Sequence, residues 1–236
     1  MKYKAILFDL DGTLLPMDFD VFTKGYFGEL TKVLSPIGLE PKAVVAAVWG
    51  GTKKMVKNDG TKLNCEVFWE EFAQLTGLEY DEFKEKSDAF YTREFNNARV
   101  CTGENPLALA AVKAARAKAE KVILATNPLF PMDGQHTRLS WIGVAPTEFD
   151  LITSYDNSGF CKPNHKYYLD ICERIGVEPS ECLMIGNDVG EDALAATTAG
   201  MDAYLVTDCL IPAKDGSVWN GKSGTFVEMV EMLNNL

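Results

Sequence analysis

Short apolar runs alternate with longer amphipathic stretches over most of the chain. The first run, Ala5 to Phe8, is continuously apolar and too short for a helix, which is typical of a strand buried on both faces of a parallel sheet. Similar runs predict strands at four later places: 121–125, 149–153, 182–185 and 203–206. Helical spacing between these runs, and a closing amphipathic helix at 226–233, indicate an α/β fold with a doubly wound parallel sheet.

Between the first strand and residue 100, the apolar residues recur only at helical spacing. One amphipathic helix follows the apolar positions from Phe22 to Ile37 and stops at Gly38, and three more helices follow with short connections. This pattern predicts a small helical bundle whose aromatic residues form its core. The chain is therefore expected to have two domains, an α/β core of residues 1–16 and 100–236 and an inserted helical domain of residues 17–99.

The first predicted strand stops at two carboxylates, Asp9 and Asp11, which are separated by a single residue. In open α/β sheets, ligands bind in a crevice outside the carboxyl ends of the strands. Gly12 lets the backbone turn sharply directly after this pair. The two carboxylates can then lie on one side, and either share a cation or divide the roles of nucleophile and acid/base. A turn-forming or helix-capping group of aspartates is the alternative interpretation.

Polar side chains also follow three later strands of the predicted sheet. These are Thr126 and Asn127, then Lys162, and then Asp188 and Asp192. Their chemistry suits cleavage of a phosphate monoester, because a carboxylate that attacks a phosphate dianion is repelled unless a divalent cation bridges the two. Asp9 and Asp188 can offer Mg²⁺ the hard oxygen ligands it prefers. Thr126 can hydrogen-bond a phosphoryl oxygen, and Lys162 can neutralise the nucleophile and the developing charge.

Composition and charge narrow the class of protein. The hydrophobic fraction of 47% and the charged fraction of 24% are ordinary for a globular protein, and no apolar run is long enough to cross a bilayer. A net charge of -11 disfavours binding to nucleic acid or to anionic membranes. The N-terminus begins a strand at once and lacks a signal-peptide cleavage site, so a cytoplasmic enzyme is expected. The six cysteines have no CxxC spacing, which predicts reduced thiols.

The motifs at the strand ends resemble those of the haloacid dehalogenase-like (HAD) superfamily, in its phosphatase branch with a helical cap inserted after the first strand. FDLDGT resembles the first family motif, LATNP the second, the lysine of CKPN the third, and GNDVGEDALAA the fourth. The resemblance covers the whole chain and implies a Rossmann-like core with the helical bundle as its cap. Asn187 departs from the commonest spelling of the fourth motif.

The resemblance assigns the acidic residues to the reaction and to the metal. It implies that Asp9 is the nucleophile and Asp11 the general acid and base. Asp9, Asp11 and Asp188 are expected to hold Mg²⁺. Asp192 matches the second acid of the fourth motif, and we expect it to support the metal site or to orient Lys162 without ligating the metal directly.

The remaining site residues are expected to bind the substrate. By the resemblance, Thr126 and Lys162 bind the phosphoryl group and act in catalysis, and Gly12 and Asn127 are expected to bind the phosphate as well. The densest basic stretch of this acidic chain lies in the predicted cap and contains Lys53 and Lys54. These lysines either form a solvated helix face or bind a part of the substrate remote from the phosphoryl group.

The second aspartate of the first motif decides between branches of the family. In members that displace halide from carbon, the position of Asp11 is typically not Asp, so the resemblance implies phosphoryl transfer. The predicted function is a Mg²⁺-dependent phosphatase that hydrolyses a small phosphorylated metabolite through an aspartyl-phosphate, as a monomer or homodimer. A phosphosugar phosphomutase could use the same site. A signalling receiver or non-catalytic binding module is opposed by Asp11 and by the size of the insertion.

Overall fold

A computed structural model describes residues 2–35, 38–78 and 80–236, with the backbone alone described for residues 80–85. Its described residues contain a six-stranded parallel sheet with the strand order β3-β2-β1-β4-β5-β6. The strands are β1 (Ala5–Phe8), β2 (Lys121–Leu124), β3 (Leu151–Ile152), β4 (Cys182–Gly186), β5 (Asp202–Val206) and β6 (Lys222–Gly224). Phe8 at the end of β1 lies opposite Leu124 of β2 and Ile185 of β4, so the segments after these three strands leave the sheet at one edge.

Helices cover both faces of this sheet. Those between β1 and β2 are α1 (Phe19–Leu34), α2 (Pro41–Val56), α3 (Asn64–Thr76), α4 (Tyr80–Thr92) and α5 (Ala108–Arg116), with a 3-10 helix at Glu94–Cys101. The later helices are α6 (Met132–Trp141), α7 (Lys166–Ile175), α8 (Ala195–Thr198) and α9 (Phe226–Asn234). Alternate residues of β1 enter opposite cores, Ile6 and Phe8 on one face and Ala5 and Leu7 on the other. In the described part of the chain, no helix has the length and apolar character to cross a membrane.

The predicted α/β fold with a parallel sheet is confirmed, with differences at particular elements. β6 was not predicted, because this edge strand is short, polar and largely exposed, without an apolar run to mark it. The helix expected after β4 begins as a π-helical turn at Val189–Leu194, in which the N–H groups of Asp192 and Ala193 both donate to the Asp188 carbonyl. Ile37, expected to end the first inserted helix, lies outside the described residues.

Helices α1 and α4 and the 3-10 helix at Glu94–Cys101 pack against the segment after β2 or against α6. The ring centres of Tyr26 and Phe130 are 5.5 Å apart, and those of Phe95 and Trp141 are 5.1 Å apart. Thr137 of α6 donates a 2.8 Å hydrogen bond from Oγ1 to the Tyr91 carbonyl. The inserted helices therefore adjoin the sheet edge where β1 and β2 end.

Candidate active site

A buried lysine between two buried aspartates lies at the carboxyl end of the sheet. Lys162 Nζ, in the segment between β3 and α7, is 2.8 Å from Asp9 Oδ1 and 2.6 Å from Asp192 Oδ1. The side chains of Lys162, Asp9 and Asp192 are only 1%, 9% and 4% exposed, respectively. Charges buried this deeply are tolerated when they are paired and hydrogen-bonded, and each member of this cluster is.

The ionisation of the cluster follows from burial and from these pairs. Burial lowers the pKa of Lys162, but the carboxylates of Asp192 and Asp9 raise it by more, so the pKa lies well above its usual value. Lys162 is therefore an ammonium ion at neutral pH. Burial raises the pKa of Asp9, and the attraction of Lys162 offsets only part of that increase.

Asp192 is held by the backbone of the preceding turn as well as by the lysine. Its Oδ2 accepts hydrogen bonds of 3.0 Å from the N–H groups of Asn187 and Asp188. Gly186 is needed at the end of β4, because a Cβ there would overlap the Asp192 carboxylate. Asp188 begins the π-helical turn, where its Oδ1 accepts from the N–H groups of Gly190 and Glu191 at 2.8 and 2.7 Å. Among the described contacts, Asp188 Oδ2 takes no hydrogen bond.

The turns after β1 and β4 are linked by residues that the motif reasoning missed or noted only as a departure. Thr13 Oγ1 donates to Asn187 Oδ1 at 3.0 Å, and Asn187 Nδ2 donates to the Cys209 carbonyl at 2.6 Å. Gly12 has a φ of 86°, and a Cβ at this position would overlap the Asn187 side chain. The Gly12 N–H donates to the Leu15 carbonyl at 2.8 Å. Its expected contact with phosphate stays a prediction.

Thr126 and Asn127 follow β2 at the same edge of the sheet. The Thr126 backbone is fixed, because its carbonyl accepts from Thr153 Oγ1 at 2.7 Å and from the Tyr167 hydroxyl at 2.9 Å. Asn127 Nδ2 donates to Glu191 Oε2 at 2.9 Å, which ties β2 to the turn after β4. Asn127 Oδ1 is buried and, among the described residues, has no hydrogen-bond partner.

Asp11 is paired with an arginine that the sequence reasoning did not identify. The fully buried Arg138 donates from Nη1 to Asp11 Oδ2 and from Nη2 to Gln135 Oε1, and its guanidinium lies 4.2 Å from the Phe130 ring centre. Asp11 Oδ1 is buried and unpartnered among the described residues. The sequence held one indication of this arginine: Gln135 and Arg138 are three residues apart and therefore lie on the same face of α6 as Leu139.

Two groups of predicted site residues, the lysines of α2 and the metal ligands, are not joined by contacts like those above. Lys53 and Lys54 of α2 are exposed to solvent, and Lys54 Nζ pairs with Glu71 Oε2 at 3.2 Å. The metal set predicted from the sequence, Asp9, Asp11 and Asp188, stays a prediction, and the Asp11 side chain pairs with Arg138. Among the described residues, no group of three or more His, Cys, Asp or Glu side chains is arranged to hold a metal ion.

Comparison with known proteins agrees with this fold and these motifs. A family model described as haloacid dehalogenase-like hydrolase matches residues 3–200, and the chain belongs to this family. It is 36% identical to the glyceraldehyde 3-phosphate phosphatase of Methanothermobacter thermautotrophicus over 89 residues, which is 37% of this chain and only 39% of that protein. It is 27% identical to the phosphoglycolate phosphatase of Aquifex aeolicus over 217 residues, which is 89% of this chain and 90% of that protein.

A solved structure is similar over nearly the full length. The crystal structure of a HAD phosphatase from Thermococcus onnurineus superposes with a TM-score of 0.61 at 21% identity, covering 98% of this chain and 97% of that one. This likeness establishes the fold, including the parallel sheet with its flanking helices.

Proposed function

We propose that the protein is a phosphatase that hydrolyses a small phosphate monoester through an aspartyl-phosphate on Asp9. The observation that carries the proposal is the buried ion cluster in which Lys162 binds both Asp9 and Asp192, with Asp11 two residues after Asp9. The proposal is also supported by the names of two relatives, both phosphatases of phosphorylated metabolites.

The contacts of Asp9 and Asp11 support different proposed roles for the two residues. Lys162 binds Asp9 Oδ1, whereas Oδ2 has only a 3.4 Å contact with Thr13 Oγ1, so Oδ2 is the freer oxygen to attack phosphorus. The bond from phosphorus to the leaving oxygen then breaks as Asp11 transfers a proton to that oxygen. In the second step Asp11 takes a proton from water, which attacks phosphorus, releases orthophosphate and restores the Asp9 carboxylate.

The residues at this edge of the sheet suit Mg²⁺. The donors are all oxygens, and Asp188 Oδ2 is outside the capping bonds made by Oδ1. Asp9 and Asp188 would hold the ion, with the backbone carbonyl of Asp11 as a third ligand because its side chain pairs with Arg138. When bound, the cation supplies charge neutralisation between the nucleophile and a phosphoryl oxygen.

Calorimetric titration with Mg²⁺ tests this assignment without measuring activity. Asp188→Ala is expected to weaken binding by more than the factor of about 10 to 100 that accompanies loss of a supporting group. Asp192→Asn is the matched comparison, because its carboxylate is fully used by Lys162 and two backbone N–H groups. A larger loss of affinity in Asp192→Asn than in Asp188→Ala would exchange the two roles.

The helices of residues 17–99 are proposed to act as a cap over a core of residues 1–16 and 100–236. The proposal is supported by Asn64 at the start of α3, which is fully buried. Its Nδ2 lies 3.3 Å from the Pro128 carbonyl and 3.4 Å from the Phe160 carbonyl, each two residues from a site residue, Thr126 or Lys162. A cytoplasmic location and a monomeric or homodimeric state stay predictions from the sequence.

Asp11→Asn tests the role of the general acid. An alkyl alcohol leaves only if it is protonated, whereas an activated phenolate leaves without help. Phosphorylation of Asp9 is measured by the burst of released alcohol. We expect the variant to lose about 10²- to 10⁴-fold in the rate of this step on an alkyl phosphate, and much less on p-nitrophenyl phosphate. Equal losses on both substrates would contradict the assignment.

Orthophosphate release separates the proposed activity from its alternatives. The purified protein with Mg²⁺ and p-nitrophenyl phosphate is expected to release orthophosphate over many turnovers. A phosphomutase would pass the phosphoryl group to a second hydroxyl and release little orthophosphate. A receiver would take up one phosphoryl group per chain and then stop.

A further inference from the structure

A cavity of about 100 Å³ extends from Asp11 into the space between the inserted helices and the core. Its core side is formed by Leu129 and Phe130, which follow β2, and by Tyr155. Its other walls come from the inserted helices, including Phe22 of α1. Asp11, with its unpartnered Oδ1, is the lining residue that takes part in the proposed reaction.

The lining of this cavity is apolar and mostly aromatic. Besides the rings of the core side, it includes Phe22, Tyr26, Trp49, Phe68, Phe72 and Tyr91. Asp11 is the one charged side chain among the described residues of the lining, which contains no lysine or arginine. Two of its polar groups are hydrogen-bonded to each other, because the hydroxyls of Tyr26 and Tyr91 are 3.0 Å apart. Thr52 Oγ1 is likewise used, donating to the Val48 carbonyl at 2.8 Å.

We propose that the substrate is a phosphate monoester of an uncharged, apolar alcohol, aromatic or short-chain alkyl, whose carbon skeleton fills this cavity. The inference rests on the proposed phosphatase activity, because the leaving oxygen must lie at Asp11 to receive its proton. The carbon attached to that oxygen then points into the space that Asp11 borders. A cavity of roughly 150 Å³ lined by Leu, Ile and Phe binds benzene, so this smaller one, at about 100 Å³, takes no more than one small ring or a short chain.

The same lining disfavours the charged and polyhydroxylated substrates of many metabolic phosphatases. The described lining has no lysine or arginine to pair with a carboxylate in the leaving group, and removing an unpaired carboxylate from water is strongly unfavourable. The lysines expected to bind such a group, Lys53 and Lys54, are on α2 with Thr52, but they are exposed to solvent. The basic stretch of the sequence suggested a positively charged binding site, whereas neither Lys53 nor Lys54 lines this cavity.

A series of alkyl phosphates tests the inference on the intact enzyme with Mg²⁺. Ethyl, propyl and butyl phosphate have leaving groups of similar acidity, so differences between their kcat/KM values report burial of the alkyl chain. We expect kcat/KM to rise about fourfold per methylene, the factor equivalent to ~0.8 kcal/mol per buried CH₂. Benzyl phosphate is expected to exceed ethyl phosphate by more than tenfold, and phosphoglycolate to be the poorest substrate.

Filling the cavity provides a second test with a matched control. Val48→Phe adds a ring at a valine that lines the cavity, and the ratio of kcat/KM for benzyl over ethyl phosphate is expected to fall at least about tenfold. Val56→Phe makes the same change at an exposed valine of the same helix and should leave the ratio unchanged. Thermal unfolding of both variants checks that they fold.

The outcomes separate this inference from the proposed function. If neither p-nitrophenyl phosphate nor any alkyl phosphate is hydrolysed, the phosphatase proposal itself fails. If they are hydrolysed but kcat/KM does not change along the series, the apolar substrate class is wrong. A preference for phosphoglycolate that disappears in Lys53→Glu combined with Lys54→Glu would also overturn it, and would return substrate binding to the lysines.

Discussion

Replacing Asp9 by asparagine is expected to lower phosphatase turnover by about 10⁴-fold or more, because an amide cannot form the aspartyl-phosphate. The fold should be retained. Asparagine has the same shape, and its side-chain oxygen can still accept the hydrogen bond that Lys162 donates to Asp9 Oδ1. Lys162 also keeps its second carboxylate partner, Asp192. The substitution therefore removes the proposed nucleophile with little change in packing.

The measurement is release of p-nitrophenol and orthophosphate, with thermal unfolding of the same preparations. Asp133→Asn is the matched control, since it makes the same chemical change at an exposed position in the first turn of α6. It should leave turnover unchanged. If Asp9→Asn turned over within tenfold of the wild type, covalent catalysis by this residue would be excluded.

The sequence located the strands well because most of them are buried on both faces and therefore read as apolar runs. β1 was predicted at its observed bounds, Ala5–Phe8, whereas the run at 149–153 contains only the two-residue strand Leu151–Ile152. Asp150 precedes that strand, and its carboxylate accepts from the Val122 N–H and pairs with Arg116. Such tertiary contacts set a boundary that no local pattern records.

The site was predictable to the extent that parallel strand ends share an edge. That rule placed Asp9, Lys162 and Asp192 near one another, and the structure joins them in one ion cluster. It could not reveal Arg138, because a buried arginine on a helix face is recognised only through its partners, here Asp11 and Gln135.

The direction in which the side chains of the inserted helices point was also not predictable from the sequence. The spacing on α2 predicts that Val48 and Thr52 share a face, but not what that face meets. In the structure, this face lines the aromatic cavity while Lys53 and Lys54 are exposed. A basic stretch in a sequence therefore indicates charge without indicating a binding site.

Removal of the buried lysine is expected to have the largest effect on stability. Lys162→Met leaves Asp9 and Asp192 as two buried carboxylates without a cation between them. Breaking a buried pair by removing one partner typically costs about 3–5 kcal/mol. Proteins of ordinary stability have a free energy of unfolding of about 5–15 kcal/mol, so only one near the lower end of that range would be unfolded by this loss. Turnover should fall as well, because the ammonium that is proposed to neutralise the Asp9 nucleophile is gone.

A second substitution separates these two effects. Adding Asp192→Asn removes one of the uncompensated carboxylates, so the double variant is expected to regain part of the lost free energy of unfolding. It should regain no activity, because asparagine does not restore a positive charge beside Asp9. Urea denaturation measures the free energy of unfolding for the two single variants and the double variant, and p-nitrophenyl phosphate hydrolysis measures turnover.

Lys214→Met is the control for loss of a lysine near this site. Lys214 Nζ is 3.7 Å from Glu191 Oε1, but its side chain is 88% exposed, so the substitution should change the free energy of unfolding by no more than about 1 kcal/mol. The comparison isolates burial as the cause, since both lysines pair with carboxylates. If Lys162→Met lost no more stability than Lys214→Met, or if Asp192→Asn destabilised the double variant further, repulsion between the two buried carboxylates would not be the main cause of the lost stability.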